Sequence, residues 1–260
     1  MKWVRFEAGG GPQYGRLVGD AEIEPVVGTP FGDAVPDGPR IALADARLLA
    51  PVVVRRVFGV GLNYVNHIRE TGSKTPRIPM LFMKPESAIV GPDDPVVYPI
   101  EGKEVHYEAE LAVVIGRRAR RVAVAEAAAV ILGYTCANDI SERVIQREEM
   151  GMGCLVVSKG FDTFCPLGPV IVTDLDPSRL RIVARVNGQT RQDSNTSDLL
   201  FDVPTLVSYL SQSITLEPGD VIITGTPAGI GPVVPGDVME IEIEGIGVLR
   251  NPVVAESVQS

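Results

Sequence analysis

Histidine is scarce in this chain, with two among 260 residues, and neither lies at metal-ligand spacing from a second histidine or a cysteine. Three cysteines, Cys136, Cys154 and Cys165, form no Cys-x-x-Cys pair. An odd count without that spacing argues against a disulfide framework and against a zinc centre, and points to a reducing compartment. No apolar run approaches the roughly 18 residues of a membrane helix, and the first residues, Met1-Lys-Trp-Val-Arg-Phe-Glu-Ala, hold no extended apolar segment of the secretory kind. The expectation is a cytoplasmic protein with no membrane partner. Basic blocks are sparse too. The densest is Arg117-Arg118-Ala119-Arg120-Arg121, and 24 Lys and Arg against 33 Asp and Glu leave a net charge of −9. Such a chain is repelled by phosphate backbones, so nucleic acid is not an expected partner.

What the chain has in quantity is apolar material, 45% of residues against 22% charged, enough for one large domain with a small appendage. Residues 1–50 break into short alternating pieces separated by glycines, the pattern of small antiparallel strands and hairpins. They are read as a small N-terminal β appendage, with Pro30 to Pro51 as the connection to a main domain over 51–260. Beyond it lie buried-strand patterns at Val57-Phe-Gly-Val-Gly, Met80-Leu-Phe-Met-Lys-Pro and Val96-Val-Tyr-Pro. Helical spacing is limited to an alanine-rich segment at 123–130, a stretch after Ser141, and Val203 to Ser211 with Pro204 in its first turn. No repeat is visible and helices do not alternate regularly with strands, which disfavours a Rossmann sheet or a (β/α)₈ barrel. The fold class is mostly β, or α+β.

Chemistry gathers at His106-Tyr-Glu-Ala-Glu-Leu-Ala-Val-Val-Ile-Gly, a buried strand with two acids at its start. Side chains in a strand alternate faces, so Glu108 and Glu110 project the same way with Cβ atoms roughly 6–7 Å apart. Adjacent carboxylates share either a proton or a cation. A third acid, Asp139, ends the apolar run Val130-Ile-Leu-Gly-Tyr-Thr-Cys-Ala. Three carboxylates at strand ends suit a hard cation, Mg²⁺, Mn²⁺ or Ca²⁺. Spacing alone does not decide the matter, since Glu240, Glu242 and Glu244 repeat it on what reads as a solvated strand face.

His67 and Glu70 stand three residues apart in Asn63-Tyr-Val-Asn-His67-Ile-Arg-Glu70. If that stretch is helical they share a face, and a carboxylate-held histidine is a competent general base. An ion-paired surface histidine gives the same spacing. His106, in phase with Glu108, reads as a packing or supporting residue. Arg143 and Gln146 face together on a helix, and Lys159 precedes a glycine that lets backbone approach a ligand.

Taken together, Gly61-Leu-Asn-Tyr-Val-Asn-His67-Ile-Arg-Glu70, Met83-Lys-Pro-Glu-Ser, Tyr107-Glu108-Ala-Glu110-Leu-Ala-Val-Val-Ile-Gly, Asn138-Asp139-Ile-Ser-Glu-Arg143-Val-Ile-Gln146, Ser158-Lys159-Gly-Phe-Asp-Thr and Thr224-Gly-Thr226-Pro-Ala-Gly resemble the fumarylacetoacetate hydrolase family, in its order and over roughly residues 55–235. The resemblance implies a rolled β-sheet main domain, a smaller N-terminal domain and a homodimer. It implies a divalent metal, Mg²⁺ or Mn²⁺, on Glu108, Glu110 and Asp139. His67 and Glu70 match the family's water-activating dyad. Lys159 and Gln146 match groups holding substrate oxygens, Thr226 a residue near the substrate carboxylate, and Arg143 a position that is basic in several members. Val144 replaces a frequent acid, and Gly151-Met-Gly-Cys154-Leu replaces a segment that often carries an aromatic, so pocket shape is where this chain departs.

The implied activity is metal-dependent hydrolysis of a carbon–carbon bond in an acylpyruvate or a related 2-keto or 2-hydroxydienoic diacid, with a small 2-keto acid as the only partner besides a second copy. Oxaloacetate-type decarboxylation and 2-hydroxymuconate-type isomerisation, the latter on a 2-hydroxyhepta-2,4-diene-1,7-dioate or 5-carboxymethyl-2-hydroxymuconate, could use the same residues. A non-catalytic dicarboxylate-binding protein is the alternative of another class, and it would have no need of His67 and Glu70 together.

Overall fold

A computed structural model describes residues 1–257. The chain is mostly β, and its long sheet runs through ten strands in a continuous path. The hairpin Lys2–Ala8 and Gly11–Val18 continues into Glu22–Gly28 and Ala34–Pro36 on one side. On the other, Lys2 and Trp3 pair with Val172 and Ile171, carrying the sheet into Cys165–Val172, Ile131–Asn138 and Ala109–Ile115. Val221–Ile223, Val57–Gly61 and the edge strand Met80–Lys84 complete it. The N-terminal strands are thus hydrogen-bonded into the main sheet. The segment read as a bare connection holds two further short strands, Ala34–Pro36 and Ile41–Ala42, both paired with Glu22–Gly28.

A second sheet, ordered Gln189–Asn195, Arg181–Val186, Val238–Ile243, Gly247–Ala255 and Val96–Tyr98, packs across the first. In Val238–Ile243 alternation is plain: Met239, Ile241 and Ile243 are buried while Glu240 and Glu242 are half exposed. Glu240, Glu242 and Glu244 are the solvated face the sequence suggested.

Ala109–Ile115 is buried at every position because both of its faces are covered. Leu111, Val113 and Ile115 enter the core between the two sheets, and Ala112 and Val114 enter a separate core on the opposite face with Trp3, Val57, Ile171 and Ile223. The period of 2 therefore puts Glu110 on the second face. Glu110 pairs across the ladder with Ala137, also in the second core, and Asp139 continues the parity of Ala137. That is how two strands bring three acids to one place.

Among the described residues four α-helices accompany the sheets: α1 (Val65–Glu70), α2 (Arg143–Gly151), α3 (Val157–Gly160) and α4 (Val203–Ser213). Asp202 caps α4 by accepting from the Thr205 amide, and Pro204 sits in its first turn as expected. The alanine-rich segment is a 3₁₀ helix, Val124–Val130. The helix after Ser141 is present as expected: Ser141 lies just before it in a two-residue strand, Ser141–Glu142, and α2 begins at Arg143 with Glu142 as its cap, accepting from the Ile145 amide. None of the described helices is long and apolar enough to cross a membrane.

Candidate active site

Glu108, Glu110 and Asp139 converge at the ends of Ala109–Ile115 and Ile131–Asn138, each offering an oxygen within 4.8 Å of the others, and all three are buried. The strand ends are clasped: the Asp139 amide donates to the Glu108 carbonyl at 3.0 Å, and the Glu108 amide donates to Asn138 Oδ1 at 2.9 Å.

Three cations close around the acids. Lys159 Nζ donates to Glu108 Oε2 at 2.8 Å and to Asp139 Oδ2. Arg143 donates to Glu108 Oε1 and, at 2.6 Å, to Gln146 Oε1, so the pair expected to face together does so. Lys84 Nζ donates to Asp139 Oδ1 at 2.5 Å and to the Ile140 carbonyl at 3.1 Å, with its side chain fully buried. Glu110 has no cationic partner among the described residues; its Oε2 accepts from the Gly225 amide at 2.6 Å.

The protonation states follow. Burial opposes ionisation of Glu108, but Lys159 and Arg143 outweigh it and hold the carboxyl well below its usual range. Burial pushes Glu110 well above that range, and the negative charges of Asp139 and Glu108 push it further. Lys159 resists the lowering effect of burial because Asp139 and Glu108 face it, so its ammonium is stabilised. The donor set therefore fits a divalent cation: three hard oxygens within reach of one another, with the ionisation of Glu110 opposed by burial and by its like-charged neighbours until a cation joins them.

His67 and Glu70 lie on α1, at the helical spacing the sequence required. His67 Nδ1 is 2.8 Å from Glu70 Oε2, and Glu70 Oε1 accepts from the Gly229 amide at 2.8 Å, which fixes the acid behind the ring. His67 is 7% exposed, so it is not a surface ion pair, and it is close enough to Glu108 for its charge to act on that carboxyl. α1 is held by Asn63, whose Nδ2 donates to the carbonyls of Phe201 (3.0 Å) and Thr224 (2.7 Å), and whose Oδ1 accepts from the Phe201 amide at 2.9 Å. Gly225 has φ +99°, and a Cβ there would meet Asn63 Cβ at 2.8 Å. The glycine of Thr224-Gly-Thr226 is thus required both by its dihedral and by the close passage of Asn63.

Thr226 is buried and its Oγ1 accepts from Gln192 Nε2 at 2.8 Å. Gln192 also donates to the Pro227 carbonyl (2.7 Å) and accepts from the Ala109 amide (2.9 Å), tying the Thr226 turn to the acid-bearing strand. His106 stands aside, its Nε2 3.0 Å from Glu104. Burial and the nearby Arg143 lower its pKa, consistent with a supporting role. The sequence alone assigns no role to Lys84, Asn63 or Gln192. Lys84 left one usable signal, a lone cation closing an apolar strand; the other two become visible only when distant segments meet.

Residues 56–254 match the family model described as fumarylacetoacetate (FAA) hydrolase, C-terminal, and residues 1–51 match one described as Rv2993c-like, N-terminal. The crystal structure described as a 5-carboxymethyl-2-hydroxymuconate delta-isomerase from Mycobacterium smegmatis superposes with a TM-score of 0.92 at 46% identity, over 98% of this chain and 100% of that one. The mitochondrial oxaloacetate tautomerase FAHD2A of Bos taurus is 44% identical over 227 residues, covering 83% of this chain and 72% of the relative. A maleylpyruvate hydrolase from Sphingobium sp. SYK-6, solved with manganese(II) and pyruvate, superposes with a TM-score of 0.82 at 34% identity, over 99% and 100% of the two chains. With the fold, the acid cluster and these matches in agreement, the chain belongs to the fumarylacetoacetate hydrolase family.

Proposed function

We propose that this protein is a divalent-cation-dependent hydrolase that cleaves a carbon–carbon bond in an acylpyruvate or a related 2-keto or 2-hydroxydienoic diacid. The observation that carries the reading is the His67–Glu70 pair. Glu70 occupies Nδ1 and is itself anchored on the Gly229 amide, which leaves Nε2 to take a proton. Glu108, Glu110 and Asp139 would hold Mg²⁺ or Mn²⁺, with Ca²⁺ also compatible with the donors. When bound, the ion supplies Lewis-acid polarisation of the adjacent carboxylate and keto oxygens of a 2-keto acid. That the Sphingobium relative was solved with manganese(II) and pyruvate supports this choice of ligand class.

In this reading His67 takes a proton from water, and the oxygen adds to the carbonyl distal to the 2-keto acid. The bond between that carbonyl carbon and C3 of the pyruvate unit then breaks, its electron pair passing to the pyruvate enolate. Protonation of the enolate completes pyruvate, and the acyl part leaves as a carboxylic acid. Lys159 stabilises the enolate oxygen, Arg143 and Gln146 hold substrate oxygens, and Thr226 lies beside the carboxylate. A donor placed on a developing oxyanion is worth about 10²–10³ in turnover, the loss expected when the Lys159 ammonium is removed.

A second reading is favoured by the identities to a muconate isomerase and an oxaloacetate tautomerase. The same base and ammonium would move a proton between C3 and the keto oxygen of a 2-keto diacid without adding water. Product analysis on acetylpyruvate, fumarylpyruvate, oxaloacetate and a 2-hydroxymuconate diacid separates the two. Pyruvate plus a carboxylic acid supports hydrolysis, whereas tautomer interconversion without cleavage removes it. A second copy of the chain belongs to the proposal as well, supported by exposed Leu81 and Met83 on the edge strand Met80–Lys84. A one-chain mass by light scattering would remove it.

A further inference from the structure

Lys159 sits on a segment with little means of holding itself. α3 is four residues, and Val156 before it caps nothing with its side chain. So short a helix does not sustain itself, and its leading N–H groups need acceptors from elsewhere. The chain leading to it is also unsupported from outside: Met152 is 74% exposed, Val156 61% and Val157 52%. Yet Lys159 is buried against Glu108 and Asp139, and a displacement of the order of 1 Å would separate it from both.

The missing acceptors come from one side chain. Glu149, in the last turn of α2 and 6% exposed, accepts from the Val157 amide at Oε1 (2.7 Å). Its Oε2 accepts from the amides of Val156 and Ser158 (both 3.1 Å) and from Ser158 Oγ (2.5 Å). Its carbonyl accepts from the amides of Met152 and Cys154, closing the turn between the helices. Burial opposes ionisation of this carboxyl, but the Ser158 hydroxyl and the three amides outweigh it and keep its pKa below the ordinary value. A carboxylate with four donors and no cation among the described residues is a structural anchor, and here it anchors the residue next to the Lys159 backbone.

We propose that Glu149 is the positioning residue of the active site: its carboxylate organises Val156–Ser158 and thereby aims the Lys159 ammonium. The inference deepens the catalytic role proposed for Lys159 and rests on that reading. Gln at 149 offers one oxygen where two are used, and turns an NH₂ towards donors; Asp is one methylene short of the amides.

The test compares wild type with Glu149→Gln, Glu149→Asp and Ser158→Ala, all manganese-loaded, on the acylpyruvate the wild type cleaves. Misplacement by about 1 Å costs on the order of 10²-fold, so Glu149→Gln and Glu149→Asp lose about that factor in kcat. KM stays within about threefold and Mn²⁺ binds no more weakly than in wild type, because the acids are untouched and only the Lys159 ammonium that bridges two of them is displaced. Hydrogen exchange of the Val156 to Gly160 amides rises in the same variants. Ser158→Ala removes one donor of four, loses a smaller factor, and carries the test if the others do not fold. Unchanged kcat alongside faster exchange overturns the proposal, as does unchanged exchange. If wild type cleaves no acylpyruvate, the functional reading fails, and exchange alone then decides: acceleration extending through Lys159 and Gly160 supports the anchor, and acceleration that stops short of them overturns it.

Discussion

Lys159→Met keeps most of the length and removes the charge, so it isolates what the ammonium does. Its Nζ makes two charge-assisted bonds, to Glu108 and Asp139, from a side chain 4% exposed. Each acid keeps one cation afterwards, Arg143 on Glu108 and Lys84 on Asp139. The loss therefore falls at the lower end of what breaking a buried ion pair costs, about 3 kcal/mol. At about 2–4 °C per kcal/mol for a chain of this size, the metal-free variant melts roughly 6–12 °C below wild type. Mn²⁺ at about 100 times its dissociation constant adds about 2.7 kcal/mol to wild type, and it restores more than that in the variant, where the cation bridging two of the acids is gone. Turnover of the metal-loaded variant falls about 10²–10³-fold. Thermal unfolding with and without Mn²⁺, beside steady-state kinetics, reads all three effects. A metal-free melting temperature within about 1 °C of wild type, together with full turnover, would refute the reasoning.

Three further outcomes follow from the same geometry. His67→Ala lowers kcat by about 10²–10⁴-fold with Mn²⁺ affinity unchanged by calorimetry, and normal turnover in the folded, metal-loaded variant would sink the water-activation step. Glu110 carries a folded-state pKa above its unfolded value, so the native state binds the extra proton. In the metal-free protein its contribution is therefore lost as pH rises from the ordinary carboxyl range through the raised value. Metal affinity runs the other way and strengthens with pH over that window. Glu110→Gln should remove the first dependence in urea titrations, raise metal-free stability at neutral pH by roughly 0.5–2 kcal/mol, and abolish Mn²⁺ binding; a destabilised variant that still binds Mn²⁺ would contradict the assignment. Gly225→Ala forces a Cβ against Asn63 at 2.8 Å in a left-handed conformation, and denaturant unfolding should register a loss of about 1–3 kcal/mol.

Much of the acid cluster was legible because strand periodicity is local. Glu108 and Glu110 share parity, Asp139 ends a second apolar run, and the ladder pairing Glu110 with Ala137 does the rest. His67 and Glu70 were legible on the same terms, since three residues along a helix is a contact. The β class and the solvated Glu240–Glu244 face followed from alternation. What stayed hidden was whatever depends on which strands become neighbours. Lys84 reaches Asp139 across 55 positions, Asn63 reaches Phe201 across 138, and Gln192 reaches Ala109 across 83. The joining of the N-terminal hairpin to Cys165–Val172 is of the same kind. Glu149 failed for a different reason: an acid in the last turn of a polar helix reads as solvated, and only the folded turn shows four donors converging on it.

The most direct test of the central claim is the rate of acylpyruvate cleavage by metal-stripped protein before and after Mn²⁺ is added back. Without metal no cleavage is expected, and activity returns and saturates as one ion per chain binds. Equal rates in the two states would contradict it.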